Sequence, residues 1–166
     1  MKIGIVGSSF NPKKKEIEIA RALGKEISKT NSEIFICFDE SSLPMEAGKE
    51  ILKFGKKVTC FCSDDDEGKK AKQLGFDSVN LNLPRLSREL KFVSSVDCLI
   101  VCGGGSGTLM EVTFAYQMGK SIFLIDGIRG SVEPFRKKFL DNRKRIRIES
   151  ASIKEIVRLL FKQSKT

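Results

Sequence analysis

Short apolar runs alternate along this chain with stretches whose apolar residues recur every three or four positions. The runs are Lys2 to Val6, Glu33 to Phe38, Lys57 to Cys62, Asp77 to Leu81, Cys98 to Cys102, Ser121 to Ile125 and Arg145 to Ile148. Each has the length of a strand. Cys98 to Cys102 is apolar throughout, as suits a strand covered on both faces. Between the runs, Ile17, Ala20, Leu23, Gly24 and Ile27 share one helical stripe. A second helix opens near Pro44 and ends at Gly55, a third starts in the acidic turn Ser63 to Glu67 and reaches Leu74, and Leu86 to Val96 reads as a fourth. Leu109, Val112, Ala115 and Gly119 mark a fifth, and Val132 to Leu140 a basic helical segment. Ile153, Ile156, Val157 and Leu160 mark the last helix, behind the capping pair Ser152 and Glu155. This alternation predicts an α/β fold: a single-domain, doubly wound, Rossmann-like arrangement over residues 1–166. Its mostly parallel sheet of about seven strands carries helices on both faces.

Ligands of such sheets collect beyond the carboxyl ends of the strands, where the strand order reverses. Two glycine-bearing turns leave strands in a way that fits this place. Gly7, Ser8 and Ser9 follow the first strand; Gly103, Gly104, Gly105, Ser106, Gly107 and Thr108 follow the strand ending at Cys102. The second turn runs straight into a helix, which gathers unpaired N–H groups and the positive helix end at one point, and phosphate is the expected guest. Together the two turns form the expected cofactor-binding set. Glu111 is read in the first turn of that helix, where the dipole favours an ionised carboxylate. It either faces a ligand's sugar or merely complements the dipole. Lys13, Lys14 and Lys15 pose a similar choice at the first helix, between serving an anion and standing in an exposed turn. Met110, Phe114 and Met118 lie opposite the stripe of Leu109, Val112 and Ala115. That second apolar face calls for a cover, either a neighbouring helix or the same face of a second copy in a homodimer.

Composition narrows the chemistry. The chain has 166 residues and no histidine, so histidine-assisted nucleophiles and the usual histidine-containing zinc sites are excluded. All five cysteines fall in expected strands and none forms a Cys-x-x-Cys pair, which points to buried free thiols rather than metal ligands, and no metal is expected. Thirty Lys and Arg against 21 Asp and Glu give a net charge of +9. The excess gathers between Arg129 and Arg147, where only Phe135 and Phe139 stand ready to stack on bases. A solvated basic face, not a nucleic-acid partner, is therefore expected. No apolar run approaches the ~20 residues of a membrane span, and the first is broken by glycine, so a cytoplasmic location without membrane contact is expected.

The run Gly104-Gly105-Ser106-Gly107-Thr108-Leu109-Met110-Glu111 resembles the P-G-G-x-G-T-x-x-E motif of the LONELY GUY family, once labelled lysine decarboxylase-like. Arg88, nine residues before Asp97, stands where the family has its active-site arginine, and Gly7-Ser8-Ser9 is similar to its first turn. The resemblance implies a Rossmann-type fold and hydrolysis of the N-glycosidic bond of a nucleoside 5′-monophosphate, with Arg88 and Glu111 as the catalytic pair. There are departures. Asp39-Glu40-Ser41-Ser42 replaces a glycine-rich turn, with two carboxylates where a phosphate would be repelled; Gly103 replaces the motif proline; and Glu89 replaces the lysine after the arginine. These place the chain nearer to the uncharacterised and molybdenum-cofactor-carrier branches, for which binding is implied but hydrolysis is not, and one alternative is a non-catalytic carrier of a nucleotide-like or molybdopterin cofactor. DNA-processing protein A, which binds single strands, shares a Ser-Gly-Thr-Leu loop and supplies the other alternative.

Overall fold

Alternate residues of the strands divide between two apolar layers. In the computed structural model, which describes residues 1–163, Ile3, Ile5, Ile36 and Ile100 point into one layer and Val6, Phe35, Leu99 and Val101 into the other. A period of two with both faces buried makes a central strand. The strands are β1 (Lys2–Gly7), β2 (Glu33–Cys37), β3 (Val58–Cys62), β4 (Asp77–Asn80), β5 (Cys98–Cys102), β6 (Ser121–Ile125) and β7 (Ile148–Ala151). They form one sheet in the order β4-β3-β2-β1-β5-β6-β7, and every neighbouring pair is parallel.

The first layer is closed by α1 (Lys14–Ile27), α2 (Leu43–Lys53), α3 (Asp65–Gln73) and α6 (Ile153–Gln163), through side chains such as Leu23, Ile51, Ala71 and Ile156. The second is closed by α4 (Arg85–Ser95) and α5 (Ser106–Gln117), through Phe92, Val93, Val112 and Tyr116. Helix ends carry the caps their sequences promise. Ser42 Oγ accepts from the Met45 N–H at 3.2 Å and Asp64 from the Glu67 N–H at 2.8 Å, so the acidic turn starts α3. The expected α/β architecture, its parallel sheet and its two helical faces all stand.

Two local expectations do not. The last strand is Ile148–Ala151, not Arg145 to Ile148, and the expected basic helix over Val132 to Leu140 shrinks to one 3₁₀ turn, Glu133–Phe135. The reason is Arg136, which is drawn into a network. Its guanidinium donates to both Glu133 oxygens at 2.8 Å and to Asp126 at 2.6 Å, and it also reaches Ser150. Ser150 Oγ in turn donates to Asp126 at 2.7 Å, so a polar residue is satisfied inside β7. Lys137 then adopts a positive φ of 55°, which no helix continues through.

Candidate functional site

The strand order turns back between β1 and β5, which pair from Ile3 against Cys98 to Gly7 against Cys102. Their carboxyl ends abut because Gly7 has no side chain: a Cβ there would lie 2.8 Å from Cys102 Cβ. The Ser8 N–H donates to Cys102 O at 3.1 Å, and Ser8 O accepts from the Leu43 N–H at 2.8 Å, which ties the first turn to the start of α2.

The second turn divides its glycines by task. Gly103 and Gly104 have φ of 65° and 105°, the region that favours glycine. Gly104 O accepts from the Ser131 N–H at 2.8 Å, and a Cβ on Gly103 would meet Ile128 and Arg129 O. These two steer the chain and lie behind the site. Gly105 to Thr108 line it. The first helical bond of α5 runs from the Leu109 N–H to Gly105 O at 3.0 Å. The preceding amides, those of Ser106, Gly107 and Thr108, find no acceptor among the described residues. A Cβ at Gly105 or Gly107 would meet nothing within 4 Å, so the helix start is open. Thr108 Oγ1 donates to Gly7 O at 3.3 Å and joins the two turns.

These turns border one cavity of about 490 Å³, which Arg88 and Glu111 also line. Arg88, only 2% exposed, donates through Nη1 to Phe38 O at 3.3 Å and Glu67 Oε2 at 3.0 Å; its Nε is without an acceptor among the described residues. Beside it, Glu89 accepts from Arg85 Nε at 3.0 Å and lies 3.8 Å from Arg88 Nη2. Asp39 adds a further carboxylate, 3.9 Å from Arg85. Glu40 turns away to pair with Lys70 at 3.0 Å, so only one of the two acidic residues expected to oppose a phosphate faces the cavity.

Glu111 differs from expectation in its charge. It is the sixth residue of α5, a turn beyond the reach of the dipole, and it is 7% exposed. Burial, reinforced by Glu89 and only partly offset by Arg88 and Arg85, pushes its carboxyl up to about 8, so it is a neutral acid at pH 7. Cys37 also lines the cavity; burial, with Glu111 beside it, pushes its thiol well above the usual range and keeps it from acting as a thiolate.

Sequence reasoning passed over Arg85, Leu86, Phe10 and Cys37 as site residues and met Glu89 and Asp39 only as departures. The spacing of Arg85, Arg88 and Glu89 at i, i+3 and i+4 was the available signal, since it puts all three on one helix face. Lys13, Lys14 and Lys15 are exposed and stand away from the cavity, while Glu16 accepts from the Lys13 N–H at 2.8 Å. The second apolar face of α5 is partly covered by the chain itself. Phe114 packs against the second core layer and Met110 lines the cavity, while Met118 remains 41% exposed.

A family model described as the SLOG cluster4 family matches residues 1–157 of the chain. The chain belongs to the SLOG cluster4 family. That places it in the LOG/lysine decarboxylase-like superfamily, as its central motif suggested. No curated protein matches it. Among solved structures, this SLOG protein is similar to the molybdenum cofactor binding protein of Rippkaea orientalis, at 21% identity and a TM-score of 0.78, over 99% of this chain and 97% of that one. It is similar to the Moco carrier protein of Chlamydomonas reinhardtii, at 18% identity and a TM-score of 0.77, over 99% and 98%. It is also similar to DNA processing protein A of Helicobacter pylori, whose single-stranded DNA binding has been described, at 14% identity and a TM-score of 0.73, over 98% and 81%. These likenesses establish the shared fold.

Proposed function

We propose that this SLOG protein binds a phosphate-bearing nucleotide in the crevice between β1 and β5, with the phosphate on the start of α5. The observation that carries this reading is the set of three amides, Ser106 to Thr108, which find no acceptor among the described residues and open into a cavity of mononucleotide size. With Glu111 neutral, the wall of the cavity sets Asp39 and Glu89 against Arg85 and Arg88. Such a wall offers acceptors to ribose hydroxyls and keeps the phosphate at the rim, on the helix. Titration calorimetry with adenosine, guanosine and cytidine monophosphates tests this: at least one binds and inorganic phosphate displaces it. A nucleotide that phosphate does not displace contradicts the reading.

One observation favours hydrolysis over simple carriage. Glu111 holds a proton at neutral pH inside the same cavity as Arg88. In this reading water adds to the anomeric carbon of the ribose, the N-glycosidic bond breaks with its electron pair passing to the base, and the Glu111 proton follows onto a base nitrogen. The carboxylate left behind takes the proton that the water releases. Arg88 grips ribose or phosphate oxygens through its guanidinium donors and so orients the sugar, while the carboxylates of Asp39 and Glu89 face the positive charge that develops on it. Incubation with each monophosphate and chromatography for free base decides the matter; release that Glu111→Gln abolishes supports hydrolysis. Binding without release leaves the carrier reading, in which the cradle takes the phosphate of a nucleotide-like or molybdopterin cofactor.

A further inference from the structure

The wall of the crevice changes character at its mouth. Phe10, 89% exposed, and Leu86, 63% exposed, are the two most exposed large apolar side chains among the described residues, and both line this cavity. Single exposed apolar residues are ordinary on protein surfaces. Two at the rim of one polar crevice, one on the turn after β1 and the other on α4, are not scatter. Phe10 also borders a second cavity of about 590 Å³, shared with Pro12, Ile17 and Arg21, so space opens around the ring on either side. Nothing among the described residues buries that ring, although an aromatic side chain has some 150–250 Å² to bury. The floor of the crevice is charged and its flank is a phosphate cradle, so the remaining part of a ligand, facing outward, meets an unpacked phenyl ring and an unpacked leucine.

We propose that Phe10 stacks on the planar base of the bound nucleotide, with Leu86 packing against it from α4, and that this grip rather than base-edge hydrogen bonding sets specificity. The inference rests on reading the crevice as a nucleotide site and names the ligand class more closely. Stacking tolerates any flat ring and rewards area, so adenosine and guanosine monophosphates bind more tightly than cytidine and uridine monophosphates. Ribose 5-phosphate, which keeps the phosphate and sugar alone, binds independently of Phe10.

The chain contains no tryptophan, so Phe10→Trp creates a single fluorescent reporter at the rim. Its emission is expected to be quenched by adenosine monophosphate and left unchanged by ribose 5-phosphate. Phe10→Ala is expected to weaken adenosine monophosphate by about tenfold to a hundredfold and to leave ribose 5-phosphate affinity and the melting temperature as they are. Equal weakening of both ligands shows that Phe10 only shapes its turn and overturns the inference, as does unchanged affinity for adenosine monophosphate. Wild-type protein that binds neither ligand removes the nucleotide reading itself, and the stacking role with it.

Discussion

Gly104 and Gly105 are neighbours with opposite requirements. Gly104 sits at φ 105° with the Thr108 side chain where a Cβ would go, so Gly104→Ala is expected to destabilise the fold by about 1–3 kcal/mol. Three residues after Gly104, Gly107 has open space and lies inside α5, so Gly107→Ala is expected to stabilise it by about 0.5–1 kcal/mol while adding bulk beside the anion cradle. Denaturant midpoints of the two variants, set beside mononucleotide affinities, check both statements. Glu111 makes a different prediction. Its folded carboxyl titrates near 8 against an ordinary 4.5, so the folded state holds a proton that the unfolded chain has lost. Stability is full below pH 4.5, falls by about 1.4 kcal/mol per pH unit through that window, and levels off above 8. Glu111→Gln removes this fall, which unfolding of both proteins at pH 5, 7 and 9 measures. The position of Glu111 in the cavity was legible from its motif. Its charge was not, because burial and Glu89 are tertiary facts, and the helix begins at Ser106, too far upstream for the dipole to govern.

Helix α5 is the element on which the proposed ligand depends. Ser106 is its first residue, where a carboxylate is welcome to the helix but occupies the place of the anion. Ser106→Glu is therefore expected to keep or raise the melting temperature and to weaken mononucleotide binding at least tenfold, as calorimetry and thermal melts check together. A loss of both would mean that the turn had collapsed and that the affinity change says nothing about the cradle. Elements like α5 and β5 were readable because their apolar spacing and their glycine turn agree with each other. At β7 the local signal pointed the wrong way. Ile146 and Ile148 alternate with Arg145 and Arg147 as a half-buried strand does, whereas the true strand contains Glu149 and Ser150 and depends on Asp126 and Arg136 to satisfy the serine. The same arginine explains why a basic run of helical composition stays a set of turns.

At the scale of the molecule, strand order is what turns two distant glycine loops into one site. A chain of alternating strands and helices announces a parallel sheet, but the adjacency of β1 and β5, ninety-five residues apart at Lys2 and Asp97, is shown by contacts such as the Lys2 N–H to Asp97 at 2.7 Å. The basic excess has a partly structural explanation, since Arg136, Arg143, Arg145 and Arg147 all bond within the chain. Single-stranded DNA is accordingly expected to bind weakly and with little salt dependence. A steep loss of affinity with added salt would favour the DNA-processing-protein-like reading. The expected homodimer face is reduced to Met118, since Phe114 packs against the second core layer and Met110 lines the cavity. No helix of the described residues is long and apolar enough to cross a membrane.

The central claim, that phosphate sits on the first amides of α5, is tested most directly by amide chemical shifts in labelled protein titrated with adenosine monophosphate and, separately, with inorganic phosphate. The N–H signals of Ser106, Gly107 and Thr108 are predicted to move in the same direction with both ligands, each saturating with a single affinity. Movement confined to other segments, with those three signals still, would contradict the account.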